Sequence, residues 1–199
     1  MIAIIDYGAG NLFSVKNALD FIGEESVITS QKDEIIRADS IILPGVGAFP
    51  GAMKMLRKAD LIDTIKEQAK TKPLLGICLG MQVLFDEGCE FEKTKGLSLI
   101  EGRVDKIKTD LKIPHMGYNQ LEINKQSLLL KGVNELDCVY FVHSFMAYTE
   151  SENVLAYCDY NIKIPALVQK GNVYGAQFHP EKSGEVGLTI LRNFGGLTK

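Results

Sequence analysis

The stretch GICLGMQVLF, residues 76–85, sets a cysteine between two glycines where an apolar run changes its period. Upstream, Leu74, Leu75, Gly76 and Ile77 follow Pro73 and read as a short buried strand. Downstream, Met81, Leu84 and Phe85 fall at helical spacing. Strand, corner at Cys78 and helix together have the G-x-nucleophile-x-G form of a nucleophile elbow, with Cys in place of Ser. Such a corner strains its central residue, and flanking glycines relieve the crowding that results. The thiol is expected at a helix N-terminus, where the positive end of the dipole favours thiolate. The N–H of Leu79, left unpaired by the helix, can donate to an oxyanion. The same spelling also fits a small apolar filler beside a strand, so a nucleophile reading needs a base.

QFHPEKS, residues 177–183, follows the strand-like run VYGAQF and supplies one. His179 and Glu181 stand two apart across Pro180, which favours an extended backbone with both side chains on one face. Glu181 can then fix the imidazole's tautomer and orientation while the other ring nitrogen faces the thiol. His115 in PHMGYN and His143 in YFVHSF lack this arrangement and read as hydrogen-bonded structural or pocket-wall residues. Of the other cysteines, Cys138 and Cys158 lie in apolar strand-like runs and are expected in the core, and Cys89 in a loop.

Outward from the elbow, the first half alternates apolar runs with helical patterns. Strands are expected at residues 2–5, 26–29 and 40–43, and another ending at Ile77. Helices are expected from Leu12 to Ile22 and near residues 33–38, 51–58 and 61–70. This alternation predicts an α/β fold with an open, mostly parallel sheet and helices on both faces. The loop Pro44-Gly45-Val46-Gly47 follows a buried strand and should lie at the carboxyl ends of the strands, beside the elbow. From Gly102 the runs VDKIK, NQLEI, CVYFVHSF, NVLAYC, PALVQ and VYGAQF make the second half β-rich, with a hairpin at Lys170-Gly171-Asn172 and a last helix near residues 185–194. Gly8-Ala9-Gly10 carries part of a dinucleotide fingerprint, with Glu24 and Glu25 near the ribose-binding position. Phe13 occupies the third glycine position, where it would crowd helix against sheet, and no nucleotide site is read there.

At 199 residues, 46% hydrophobic and 24% charged, the chain suits one globular domain, residues 1–199. A net charge of −3 leaves no footprint for nucleic acid or an anionic membrane. No apolar run approaches the roughly 20 residues that span a bilayer. No basic region precedes the apolar residues of MIAIIDYGAG, so it is not read as a signal peptide, and a reducing, cytoplasmic setting is expected. The cysteines and histidines show no metal-ligand spacing, and neither metal nor cofactor is expected.

GICLGMQ, QFHPEKS and PGVGAF, in a chain that starts with DYGAGN, resemble the class I (triad) glutamine amidotransferases. GLSLIEG (96–102), PHMGYN (114–119) and HPEKS (179–183) favour, within that class, the glutaminase subunits of imidazole glycerol phosphate synthases of histidine biosynthesis. The resemblance runs the full length of the chain. It implies catalysis by Cys78, His179 and Glu181, an oxyanion hole from the N–H groups of Val46 and Leu79, and glutamine held by Gly47, Gln82, Glu90, Ser144 and Phe145. It implies a heterodimer with a (β/α)8-barrel cyclase subunit, which receives the ammonia to form imidazole glycerol phosphate and an aminoimidazole carboxamide ribotide. Asn11, Tyr118, Tyr140 and Lys182 would face that partner, with Tyr118 where many members have Trp. A paralogous subunit feeding a sugar-nucleotide-modifying synthase would carry the same triad, and a non-catalytic interaction subunit is the reading from a different class.

Overall fold

A computed structural model describes residues 1–198. Its first half runs β1 (Ile2–Ile5), α1 (Leu12–Phe21), β2 (Ser26–Thr29), α2 (Lys32–Arg37), β3 (Ser40–Gly45), α3 (Phe49–Lys58), α4 (Ile62–Gln68), β4 (Leu74–Cys78) and α5 (Leu79–Gln82). Short strands follow at β5 (Glu87–Gly88), β6 (Thr94–Lys95) and β7 (Arg103–Lys106), then β8 (His115–Gln120) and β9 (Glu122–Ile123). The chain closes with β10 (Cys138–His143), β11 (Phe145–Tyr148), β12 (Val154–Asp159), β13 (Lys163–Lys170), β14 (Val173–Ala176) and α6 (Gly184–Gly195).

The main sheet has the order β2-β1-β3-β4-β14-β13-β12-β9. From β2 to β14 neighbouring strands are parallel, and from β14 outward they turn antiparallel. Parallel strands need both faces covered, and the sequence supplies this by side-chain alternation. Ile2, Ile4, Leu75 and Ile77 pack on one side with Val15 and Leu19 of α1 and Ile190, Leu191 and Phe194 of α6. Ile5, Ile41, Leu43 and Leu74 pack on the other with Ile35 of α2, Met53 and Leu56 of α3 and Ile65 of α4. The expected hairpin joins β13 to β14, with Lys170 opposite Val173 across a two-residue turn.

Several expectations are corrected. The helix after Cys78 stops at Gln82, because the carbonyls of Val83, Leu84 and Phe85 accept instead from the backbone of residues 97–100. Leu84 and Phe85 are still fully buried, so their spacing reported burial and not helix length. PHMGYN, not among the runs read as strands, supplies most of β8. CVYFVHSF is two strands broken at Ser144, one paired with β8 and the other with β7. Cys158 is buried, but Cys138 is exposed. Alternation along β10 turns Val139, Phe141 and His143 inward and leaves Cys138 and Tyr140 on the outer face. Phe13 crowds nothing, since it is 75% exposed on the outer side of α1; it is Gly10 that lies close to Pro44.

The elbow is set by a close crossing of backbones. A methyl group at Gly80 would stand 1.7 Å from the Leu43 carbonyl oxygen, and one at Gly76 would stand 2.5 Å from the Gly80 carbonyl oxygen. Gly80→Ala should therefore cost at least about 3 kcal/mol of stability, since rigid backbone must move to admit Cβ. Gly51→Ala, which adds a methyl in open space within α3, should gain about 0.5 kcal/mol. Urea unfolding of the two variants measures the contrast, and equal effects would show that the crossing is not tight.

Candidate active site

Cys78 ends β4 with φ +55° and ψ −111°, a strained conformation for any residue but glycine. The sequence tolerates it because Gly76 and Gly80 remove the neighbouring side chains. One helical turn follows, so the dipole at the sulfur is that of a few peptides, and proton transfer falls to the side chains around it. Gln177 Nε2 donates to Sγ over 3.9 Å, and Sγ lies 4.0 Å from the Val142 carbonyl oxygen.

His179 arrives from the neighbouring strand. β14 pairs with β4 so that Ala176 lies beside Ile77, and the chain passes the cysteine three residues later. Two backbone ties hold it there. The His179 N–H donates to the Tyr140 carbonyl at 2.9 Å, and Ser183 Oγ donates to the His179 carbonyl at 2.6 Å while accepting from the Tyr140 N–H at 3.0 Å. His179 Nδ1 lies 2.8 Å from Glu181 Oε1, with the two side chains 4% and 1% exposed. The route differs from the expected extended segment: Pro180–Lys182 is a 3-10 turn, and its reversal brings the carboxylate back to the imidazole. Burial disfavours a charged imidazole, but hydrogen bonds and charge from Cys78 and Glu181 outweigh it and push the His179 pKa up to about 9.

A cavity of about 430 Å³ opens in front of these groups. Its lining brings together Cys78, His179, Val46, Leu79, Gly47, Gln82, Glu90, Ser144 and Phe145, with Glu181 behind His179. The break between β10 and β11 places Ser144 and Phe145 there, and the strand order places the Pro44–Gly47 loop there. Glu90 reaches across from the segment after β5, and its Oε2 accepts from the Phe49 N–H, the first of α3, at 2.8 Å. One carboxylate oxygen is thus held by a helix terminus while the other is free to meet a cation.

His143, read from the sequence as a structural or pocket-wall residue, also lines the cavity, as do Pro114 and Val142, and Gln177 contacts the cysteine sulfur; these last three were not assigned to the site from the sequence. A fully buried glutamine just before the histidine was the available signal for Gln177, but burial is not spelled in a lone polar residue.

Outside the cavity, Tyr118 and Tyr140 face each other across β8 and β10 with ring centroids 5.5 Å apart. The Tyr118 hydroxyl donates to the Lys182 carbonyl at 2.8 Å. Asn11, just before α1, accepts from Ser14 Oγ at 2.8 Å.

The family model of class I glutamine amidotransferases matches residues 3–195, so the chain belongs to that family. Its relatives include the imidazole glycerol phosphate synthase subunit HisH of Bacillus thuringiensis (strain Al Hakam), 52% identical across all of this chain and 96% of that protein. The subunit of the same name from Bacillus anthracis (strain A0248) is 51% identical over the same shares. Among solved structures, a glutamine amidotransferase superposes with a TM-score of 0.77 over 98% of this chain and all of the other, at 20% identity. PurLQS from Thermotoga maritima superposes at 0.80 over all of this chain and 98% of that one, at 21% identity. These two likenesses speak for the fold.

The three histidines set the pH dependence of stability. His179 binds its proton more tightly folded than unfolded, so its contribution is full below the ordinary pKa of 6.5 and is lost as pH rises through about 9. Burial pushes His143 down to about 3 and His115 to about 4, so their contributions are full above 6.5 and are lost as pH falls toward those values. The urea midpoint should peak near about pH 6.5 and decline on both sides. A midpoint that rose steadily from about pH 6.5 to 9 would contradict the charged His179.

Proposed function

We propose that this chain is the glutaminase subunit of an imidazole glycerol phosphate synthase, supplying ammonia to a (β/α)8-barrel cyclase subunit as a heterodimer. The observation that carries the reading is a cysteine at the elbow, backed by a buried histidine and glutamate, in a chain half identical along its whole length to subunits of that name. In this reading the Cys78 thiolate attacks the side-chain amide carbon of glutamine. The N–H groups of Leu79 and Val46 hold the oxyanion that forms. Glu181 occupies His179 Nδ1, so Nε2 carries the proton delivered to the amide nitrogen. The C–N bond breaks, ammonia leaves, and a γ-glutamyl thioester remains on sulfur. Neutral His179 then takes a proton from water, hydroxide adds to the thioester, and the C–S bond breaks to release glutamate and thiolate.

Glu90 pairs with the α-ammonium group of glutamine through its free oxygen, and Gln82, Ser144, Phe145 and Gly47 complete the pocket. Tyr118, Tyr140, Lys182 and Asn11 form the partner-facing side, where Tyr118 is 60% exposed. All four cysteines are free, in keeping with a cytoplasmic setting. None of the described helices is long and apolar enough to cross a membrane.

Cys78→Ala should abolish glutamine-dependent product formation by the assembled synthase, a loss of several orders of magnitude, while synthesis from added ammonium salts persists. Glutamine-dependent turnover surviving in the variant would remove Cys78 from the chemistry. Glu90→Gln should raise the KM for glutamine about tenfold or more with a smaller change in kcat, because the pairing is made equally in ground and transition states. Steady-state kinetics with the partner bound separates the two parameters, and a loss confined to kcat would overturn the assignment of Glu90.

A further inference from the structure

Behind the cavity, polar groups form an unbroken chain from the cysteine to the outer ribbon of β8 and β10. Gln177 donates to Cys78 Sγ, and its Oε1 accepts from Gln82 Nε2 at 3.0 Å. The same Gln82 nitrogen donates to the Phe145 carbonyl at 3.0 Å, and that carbonyl also lies 2.8 Å from His143 Nδ1. His143 Nε2 lies 2.9 Å from His115 Nδ1, and His115 Nε2 lies 2.8 Å from Asn119 Nδ2.

The hydrogens of this chain follow from one fact, that a carbonyl oxygen only accepts. His143 Nδ1 must carry the proton toward Phe145. The neutral ring then accepts at Nε2, so His115 donates from Nδ1 and accepts at Nε2 from the Asn119 amide. Every ring nitrogen is used once, with no conflict. With His115 protonated at Nδ1, an imidazolium at His143 would set two N–H groups against each other across 2.9 Å. The pair is built to stay neutral: His115 is 1% and His143 6% exposed, and burial holds both pKa values far below the ordinary value. The His115 ring is clamped between Phe141 and Tyr160, with centroids 4.6 and 4.2 Å away. Cross-strand pairing of His115 with His143 fixes the register of the two rings.

We propose that His143, His115 and Asn119 are positioning residues for glutamine turnover, a neutral imidazole pair of fixed tautomer that anchors the Phe145 carbonyl and so the glutamine-binding strand break. The role rests on the glutaminase reading, because Ser144 and Phe145 matter only as walls of the glutamine pocket. His115 and Asn119 stand outside the cavity lining, and the pair acts through the Phe145 backbone, whose carbonyl His143 Nδ1 meets at 2.8 Å. Asn119 ends the relay on the ribbon that carries Tyr118 and Tyr140.

The first test needs no substrate. In the full chain labelled with 15N-histidine, NMR should show His115 and His143 neutral, both protonated at Nδ1, from about pH 6 to 8. An Nε2–H tautomer or an imidazolium at either ring overturns the proposal. The second test is kinetic, on the chain assembled with its cyclase partner. His115→Ala should raise the KM for glutamine about fivefold with kcat within about twofold. His115→Asn, which offers an amide N–H near the place of Nδ1, should recover most of that loss. An unchanged KM in His115→Ala, or no recovery in His115→Asn, overturns the positioning role. Should His115→Ala fail to fold, Asn119→Ala removes only the outermost donor and should still raise KM, by about twofold. An assembled wild-type synthase without glutaminase activity would fail the functional reading and leave the tautomer result standing, which keeps the two failures apart.

Discussion

The Gly80 backbone rests on the Leu43 carbonyl with no room for a side chain between them, and this contact joins β3 to the turn after β4. Because the two strands pair in parallel with Gly45 beside Cys78, the contact brings the Pro44–Gly47 loop and the cysteine to one point. β14, paired on the other side of β4, delivers His179 to the same point. Three separate loops meet there because three neighbouring strands end there, as the carboxyl edge of a parallel sheet requires. The strain at Cys78, of the order of 1–3 kcal/mol for a non-glycine residue at such angles, is held by these pairings.

Around the cysteine, polarity is arranged by directional contacts more than by dipoles. One turn of helix leaves little macrodipole, while Glu181 and Cys78 charge His179 from two sides. Glu90 is steadied through the N-terminus of α3, a longer helix that contributes its first N–H. The same cavity thus has a wall of protonated imidazole and a wall of neutral imidazole. His179 is pushed up by its partners, and His143 is pushed down chiefly by burial, with the nearby charge of His179 adding to it. Two histidines bordering one cavity titrate apart because Cys78 and Glu181 outweigh burial at His179, while at His143 burial outweighs the lone Phe145 carbonyl.

Much of this was legible in the sequence where the signal was local. Parallel strands read as continuous apolar runs, and β1 and β2 fell at the residues expected. The elbow and QFHPEKS were spelled in consecutive residues, with the reason for each glycine visible in its spacing. What was not legible depended on partners far along the chain. The length of α5 is decided by residues 97–100, which take its next carbonyls. The split of CVYFVHSF at Ser144 is decided by two different partner strands. Cys138 and Cys158 sit in similar runs, and only the pleat, fixed by pairing, tells outward from inward. Gln177 and the pairing of His115 with His143 escape notice for the same cause, since they lie in hydrogen bonds spanning 28 to 99 residues.

The two glycines of the Pro44–Gly47 loop look equivalent in the sequence and are not so in the fold. At Gly45 a methyl group would stand 2.6 Å from the Gly80 nitrogen and 2.8 Å from the Tyr7 hydroxyl, so its bareness serves close packing and its backbone is pinned. Gly47 has φ +105° and open space around it, so its bareness serves conformation. Val46, nearly half exposed, lies between a fixed hinge and a free one. The Val46 N–H belongs to the Gly45–Val46 peptide, which turns through ψ of Gly45 and φ of Val46, while Gly47 frees the peptides that follow. With Gly45 packed closely, the freer backbone of the loop lies C-terminal to Val46, in the two residues before α3. Those residues also precede the Phe49 N–H that holds Glu90. In the proposed reading, the oxyanion side and the ammonium side of the pocket are thus joined by one short segment, residues 46–49.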